Sequence, residues 1–436
     1  MVNAEKFNIT DNDCRLTFKK VIVLTQYYAP ESGAPQIRLA NLTRVLALNG
    51  CDVRVITGFP NYPTGVIEEG YRGRWSLKEE IDGIEVSRHW LYGASGRNKL
   101  KRIVNYLSFT FSVLPEVLFS KDVDLIFVEA QPVTLALPAL IRKLTRGTPY
   151  IYNTPDLQVE YASEDKWMPA IVPWLARRLE RFLMNRALSV TTVTHAFIKH
   201  FISELGIKPK KMSFMPNGAD TTVLKPSKTD IEFRQKMGVK GKFVFTYAGT
   251  HAPYQGLETI IHAASLLIDR SDICILIVGD GPERKNIMNL AVSLDLENVY
   301  FSKSPFSEME KLMSITYASI VVLRALEISK MMRLSKTIPP LSCGVPVLFS
   351  GWGETADIID KYEAGIVCSP EDPKQLADSI IYLADHPEVR EKMSHSARQL
   401  AQKEFDWGYI VNDWVRQINN ITDGKEPDIK NLDLHS

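Results

Sequence analysis

Three loops in this chain carry residues whose types and order suit them to hold an anion or a hydroxyl. Residues 247–258 read YAGTHAPYQGLE, residues 279–283 read GDGPE and residues 26–35 read QYYAPESGAP. Glycines in the first two let a ligand approach the main chain closely. A turn from strand into helix aims free amides and the positive helix end at negative charge. Each loop alone is a weak signal, but the pair in order, on adjacent strand ends, suits the diphosphate and base of a nucleotide. In the third loop Gly33 and Ala34 open a helix at Pro35, either to meet an anion or sugar hydroxyl or simply to reverse the chain. It is not G-x-G-x-x-G, which disfavours a nicotinamide cofactor. Asp156 and Glu160 stand four apart in NTPDLQVEY. That spacing lets both share one face of a short turn and orient hydroxyls, or else cap a helix and face solvent.

The elements that must position these loops form two series of strand–helix alternation. The first holds strands at 20–26 (KVIVLTQ), 52–57, 84–89, 123–128, 149–153 and 188–193, with a helix at 35–48 after the first. The second restarts at 242–247 and continues through a helix at 256–268 and strands at 273–278, 320–323, 345–349 and 365–368. Such alternation predicts α/β domains with parallel, doubly wound sheets, whose ligands bind beyond the carboxyl ends of the strands. The division expected is an extension at 1–19, a first domain at 20–215, a linker at 216–230 around the breakers Pro216, Asn217 and Gly218, and a second domain at 231–404. A helix at 405–421 then returns to the first domain, and 422–436 forms a polar tail.

At 436 residues the chain is long enough for two to four domains. Its 52 basic and 51 acidic residues nearly cancel, so no global field favours nucleic acid. Five cysteines without a close C-x-x-C pair read as a reduced chain lacking a disulfide framework, and the eight histidines show no metal-ligand spacing. Residues 1–18 lack the apolar stretch of a secretion signal. The longest uncharged run, 337–353, is broken by prolines and glycines and cannot span a bilayer. Two basic stretches stand out. Residues 97–102 (RNKLKR) precede an apolar run, and Arg177, Arg178 and Arg181 are interleaved with Trp174, Leu175 and Leu179. Basic and aromatic residues on one helix dock on anionic lipid, or form the solvated face of a core helix.

VIVLTQYYAPESGAPQIRLANL, TGFPNYPTG, EEIDGIEVSRHWLY, PNGAD, YAGTHAPYQGLETI, LIVGDGPER and SKTIPPLSCGVPVL, in that order, resemble the retaining glycosyltransferases of family 4. The likeness covers about residues 20–420 and is greatest to the N-acetyl-L-fucosaminyltransferase-like branch that builds bacterial capsule and O-antigen repeats. It implies a GT-B fold, with two Rossmann-like domains facing across a cleft. The C-terminal domain would take a UDP-sugar through Gly249, Thr250, Gln255, Gly256, Gly279, Asp280, Gly281, Arg333, Ser335, Lys336 and Glu354. The N-terminal domain would take the acceptor at Gly33, Ala34, Pro35 and Arg38. Asp156, Glu160 and Lys336 are the catalytic candidates. No metal or other cofactor is implied, because protein cations and helix ends neutralise the leaving diphosphate.

The chain departs from the family's pattern where two glutamates eight apart usually precede the Cys343-Gly344 segment, the second holding the ribose. Met331 and Pro339 occupy those positions, and a proline side chain cannot accept from a hydroxyl. Ribose recognition would then fall to Glu327 or Glu354. Thr250 and Gln255 replace an arginine and a lysine of many relatives, leaving Arg333 and Lys336 as counter-ions. The function expected is transfer of a sugar, an N-acetylated amino sugar, from UDP to a lipid-diphosphate-linked glycan. The enzyme would be cytoplasmic, at the inner face of the cytoplasmic membrane, making capsule, O-antigen or related lipopolysaccharide. Two alternatives are a UDP-N-acetylglucosamine 2-epimerase type and a non-catalytic GT-B scaffold.

Overall fold

The computed structural model describes residues 15–429 apart from 32, 63, 95–98, 158, 160–170 and 304–307. The chain folds as two units, Met1–Asn217 with Trp407–Ser436, and Gly218–Asp406. The division falls inside the stretch 216–230 read as a linker. From Gly218 onward that stretch belongs to the second unit, where Arg398 donates to the carbonyls of Thr221 (2.9 Å) and Leu224 (3.0 Å).

Among the described residues the first unit has eight strands: β1 (Lys20–Leu24), β2 (Asp52–Gly58), β3 (Ser76–Ile81), β4 (Ile84–His89), β5 (Leu125–Glu129), β6 (Tyr150–Asn153), β7 (Ser189–Thr192) and β8 (Met212–Phe214). Their order is β3-β4-β2-β1-β5-β6-β7-β8, parallel except for the β3–β4 hairpin. Central β1 pairs Val23 with Val55 on one side and Phe127 on the other, and is buried on both faces, hence its unbroken apolar run. Strand β3 was not expected. Its sequence SLKEEI is polar because it is an exposed edge, joined to β4 through Asp82 and Gly83, both at positive φ. Helix Ala34–Leu48 buries Leu39, Leu42, Val45 and Leu46 against this sheet, together with Val411, Trp414 and Ile418 of helix Trp407–Thr422. That last helix is tied to the unit by the Trp414 indole N–H donating to Thr191 Oγ1 (3.1 Å). Helices Lys99–Phe119, Ala136–Arg146 and Ile171–Arg186 pack side by side as a separate layer.

The second unit has β9 (Phe243–Ala248), β10 (Ile273–Val278), β11 (Val299–Ser302), β12 (Ala318–Val322), β13 (Val347–Ser350) and β14 (Gly365–Cys368). All pairs are parallel, in the order β11-β10-β9-β12-β13-β14. Strand order reverses between β9 and β12, so the loop after β9 sits at the switch point where doubly wound sheets bind ligands. In the first unit the reversal falls between β1 and β5.

Pro339 and Pro340 lie in the first turn of helix Ile338–Ser342. Amide donors there have no intrahelical partner to lose, so proline is tolerated. Their carbonyls still accept from Cys343 (3.1 Å) and Val345 (2.9 Å).

Candidate functional site

In the second unit the two glycine loops are zipped together at the ends of β9 and β10. Gly249 N–H donates to Val278 (3.0 Å), His251 N–H to Asp280 (2.9 Å) and Glu283 N–H to His251 (3.0 Å). A Cβ on Gly279 would lie 2.0 Å from the Gly249 carbonyl oxygen, and one on Gly281 2.5 Å from that of His251. Only glycine permits this contact, which explains GDGP in the sequence. Gly249 itself leaves room for the stem of Lys336, whose Cε would be 2.6 Å from an added Cβ.

Lys336, in the turn Ser335–Thr337, donates from Nζ to the Tyr247 hydroxyl (2.7 Å) and the Thr250 carbonyl (3.2 Å). Its ammonium also lies 5.1 Å from the centre of the Tyr247 ring. Burial lowers its pKa to about 7. An arriving anion favours the protonated form, so this group gains charge as a phosphate binds. Tyr247 and His251 were missed at the sequence level, although both lie inside the motif YAGTH. Burial raises the Tyr247 hydroxyl and lowers His251, keeping both neutral.

The other expected nucleotide contacts divide. Thr250 is exposed beside Lys336, Ser335 is half-buried, and Gly256 turns the chain in the left-handed region at φ 67°. Gln255 is fully buried behind Tyr247, 3.4 Å from its hydroxyl, rather than on the loop's outer face. Asp280 is on the surface, bound to Lys303 at 2.6 Å and held below the usual carboxylate range mainly by that bond. Arg333 and Glu354 are engaged with each other at 3.2 Å, and Arg333 lies over Phe405 at 4.9 Å. They form a buried pair rather than an open counter-ion and an open ribose acceptor. Glu327, the other ribose candidate, is 84% exposed and paired with Lys330.

In the first unit a cavity of about 600 Å³ opens at the carboxyl ends of β1, β2, β4 and β5, where the strand order reverses. Gly33 and Pro35 line it, with Gln36, Asn61, Arg102 and Tyr106 among the others. Ala34 begins the adjoining helix. Glu31, which sequence reasoning passed over, ties two of the lining loops together. Its carboxylate accepts the amides of Asn61 (2.7 Å), Tyr62 (2.8 Å) and Tyr28 (3.3 Å), joining the loops after β1 and β2.

Arg38 was expected to meet the acceptor. It is instead 1% exposed, donating to Glu129 Oε1 (2.6 Å) and Asn217 Oδ1 (3.0 Å). Asn153 bonds the other oxygen of Glu129 at 2.5 Å. Burial pushes the Glu129 carboxyl up, and Arg38 opposes that rise. Asp156 is half-buried after β6, its carboxyl raised by burial and its Oδ1 accepting from Leu157 N–H (2.9 Å). Glu160 lies outside the described residues, so its pairing with Asp156 is not seen.

Two family models match the chain in tandem. Residues 33–218 match a "Glycosyl transferase 4-like domain", and residues 229–400 match "Glycosyl transferases group 1". The chain is a GT-B glycosyltransferase. This glycosyltransferase is 24% identical over 417 residues to the "Putative colanic acid biosynthesis glycosyl transferase WcaI" of Escherichia coli (strain K12), covering 92% of this chain and 99% of that protein. Among solved structures it is similar to Anabaena Alr3699/HepE in complex with UDP, with a TM-score of 0.68 and 18% identity over 93% of this chain and all of that one. It also resembles WaaG, described as a glycosyltransferase involved in lipopolysaccharide biosynthesis, with a TM-score of 0.61 and 17% identity over 89% and 97% of the two chains. The glycosyltransferase assignment replaces the epimerase-type alternative. Among the described residues, no helix of this glycosyltransferase is long and apolar enough to cross a membrane.

Proposed function

We propose that this glycosyltransferase moves a sugar from UDP, with retention, to a lipid-diphosphate-linked glycan in the synthesis of a surface polysaccharide of the capsule or O-antigen type. The donor is an N-acetylated amino sugar, as in the fucosaminyltransferase-like branch, and the enzyme works at the inner face of the cytoplasmic membrane. The observation that carries this reading is the Lys336 ammonium against the interlocked loops of Gly249 and Gly279. A cation at a switch point suits a diphosphate, and it stabilises the charge that grows as the glycosidic bond breaks. The departing phosphate takes the acceptor's proton, so no separate base and no metal are required. The cavity of the first unit, lined by tyrosines and side-chain amides, receives the acceptor sugar. The neighbour bound to UDP and the relatives named for colanic acid and lipopolysaccharide support the same reading.

A thermal-shift screen over nucleotide sugars tests it. Binding confined to the folded state raises the midpoint as RT ln(1 + [L]/Kd). UDP and one UDP-amino sugar should stabilise the protein, and turnover should persist in a chelator with the product keeping the donor's anomeric configuration. Absence of a shift with every UDP-sugar would favour the non-catalytic scaffold instead.

A further inference from the structure

Helix Lys99–Phe119 has two functional-looking faces. On the inner side of its first two turns Arg102, Asn105 and Tyr106 line the cavity of the first unit. Among the described lining residues Arg102 alone carries a charge. Burial raises the hydroxyls of Tyr27 and Tyr106, and the Arg102 charge partly opposes this in both, so the guanidinium is close to two rings of the cavity. On the outer side Leu100, Val104, Leu107 and Phe111 follow one another at helical spacing, and all are exposed, Phe111 at 68%.

Exposed apolar residues also lie on the two helices that pack in series beside it, Ala136–Arg146 and then Ile171–Arg186. Leu144 of helix Ala136–Arg146 is 64% exposed, and Trp174 and Leu175 of helix Ile171–Arg186 are about half exposed. Apolar stripes of this kind are seldom left to water. Their flanking charge has one sign. Arg146, Arg178 and Arg186 lie over Phe119, Trp174 and Phe182 at 5.9, 4.5 and 5.2 Å. The acids of the three helices are Glu116, bonded to His89 at 2.6 Å, and Glu180, which is 2% exposed. Neither contributes charge to the outer face.

An apolar stripe rimmed by arginines over aromatic rings matches an anionic lipid surface, where rings and aliphatic chains enter the acyl boundary and guanidinium groups meet phosphates. We infer that these three helices rest on an anionic bilayer, and that helix Lys99–Phe119 is the wall shared by lipid and cavity, with Arg102 reading the phosphate that joins the acceptor's sugar to its lipid. This deepens the proposed function and rests on its lipid-linked acceptor. It assigns the sugar to the cavity, the phosphate to Arg102 and the lipid to the outer stripe.

Sedimentation of the full chain with vesicles tests it, using phosphatidylcholine alone, phosphatidylcholine with phosphatidylglycerol, and phosphatidylcholine doped with a polyprenyl diphosphate. The wild type should bind the second and third but not the first. Leu107→Glu with Phe111→Glu should weaken binding to phosphatidylglycerol vesicles by about tenfold or more. Leu144→Glu, on a different helix, should weaken it in the same direction. Both variants should keep the UDP-induced thermal shift, which shows that they fold. Arg102→Gln should lose the gain conferred by polyprenyl diphosphate while retaining binding to phosphatidylglycerol. Wild-type protein that ignores both charged vesicles, or stripe variants that bind as wild type, would overturn the inference. So would a wild-type dimer that the stripe variants convert to monomer, because the stripe would then meet a second copy. An unchanged diphosphate gain in Arg102→Gln removes the role given to that residue. Loss of the donor reading appears separately, as a wild type that UDP fails to stabilise.

Discussion

The Lys336 ammonium sits 2.7 Å from the Tyr247 hydroxyl, with Gly249 leaving space for its stem. The amino group is therefore held at the end of β9 before any ligand arrives, and under the proposed function it would meet the leaving diphosphate without reorganisation of a floppy chain. Lys336→Ala should lower kcat/KM by about a hundredfold or more while leaving the fold intact. Steady-state kinetics beside a melting curve check both halves of that statement.

The depressed pKa of the same group has a pH signature. Lys336 falls from the ordinary 10.5 to about 7 through burial. Between those values the unfolded chain holds a proton that the folded chain has lost, so this group makes stability rise with pH across the window. Lys336→Met should flatten that part of the profile. A bound diphosphate restores the proton, so UDP binding above pH 7 should take up protons, which calorimetry in buffers of different ionisation enthalpy measures.

Gly249 and Gly279 should respond differently to alanine. At Gly249, where a φ of 154° strains any side chain, the new Cβ also meets the end of the Lys336 side chain, which can move aside, so turnover should fall with a smaller loss of stability than at Gly279. At Gly279 it meets the Gly249 carbonyl at 2.0 Å, which cannot. Gly279→Ala should cost about 2 kcal/mol or more of stability. Denaturant midpoints and kinetics of the two variants, measured side by side, separate the effects.

Arg38 and Glu129 are a buried pair, and breaking such a pair leaves one charge uncompensated. Arg38→Ala should destabilise the protein by about 3–5 kcal/mol. A variant with wild-type stability and a raised acceptor KM would instead return Arg38 to the acceptor. Glu354→Gln makes the same distinction in the second unit. Loss of this charge beside Arg333 should lower the melting temperature without changing UDP affinity in the folded protein.

Pro339→Glu tests the unusual ribose position. A carboxylate in the first turn of helix Ile338–Ser342 is compatible with the helix, since that end favours negative charge. Charged hydrogen bonds contribute roughly 1.5–3 kcal/mol, so UDP should bind about tenfold more tightly. Calorimetric titration reads the gain, and a folded variant without it places ribose recognition elsewhere.

Buried parallel strands and glycine-bearing turns were legible because their physics is local. β1 and β10 are unbroken apolar runs in the sequence and lie in the interior, covered on both faces. Of the four edge strands only β14, at 365–368, was legible. β3 is half solvated and polar, while β8 and β11 are three and four residues long, so nothing in their composition separates them from loops. The loops at Gly249 and Gly279 were readable one by one, but their interlocking depends on β9 and β10 being neighbours.

By itself the sequence determined the α/β alternation, the two series and the positions of the glycine loops, because periodicity and backbone freedom are properties of a few consecutive residues. Only the tertiary structure decided what each charged side chain faces. Arg38, Arg333, Glu354 and Asp280 all look available in one dimension, yet Arg38 is matched to Glu129, Arg333 to Glu354 and Asp280 to Lys303. Lys336 looks like an ordinary surface lysine until folding places it over Tyr247 and strips its water. A charge is governed by the partners and solvent around it, and those come from segments of the chain that only the fold brings together.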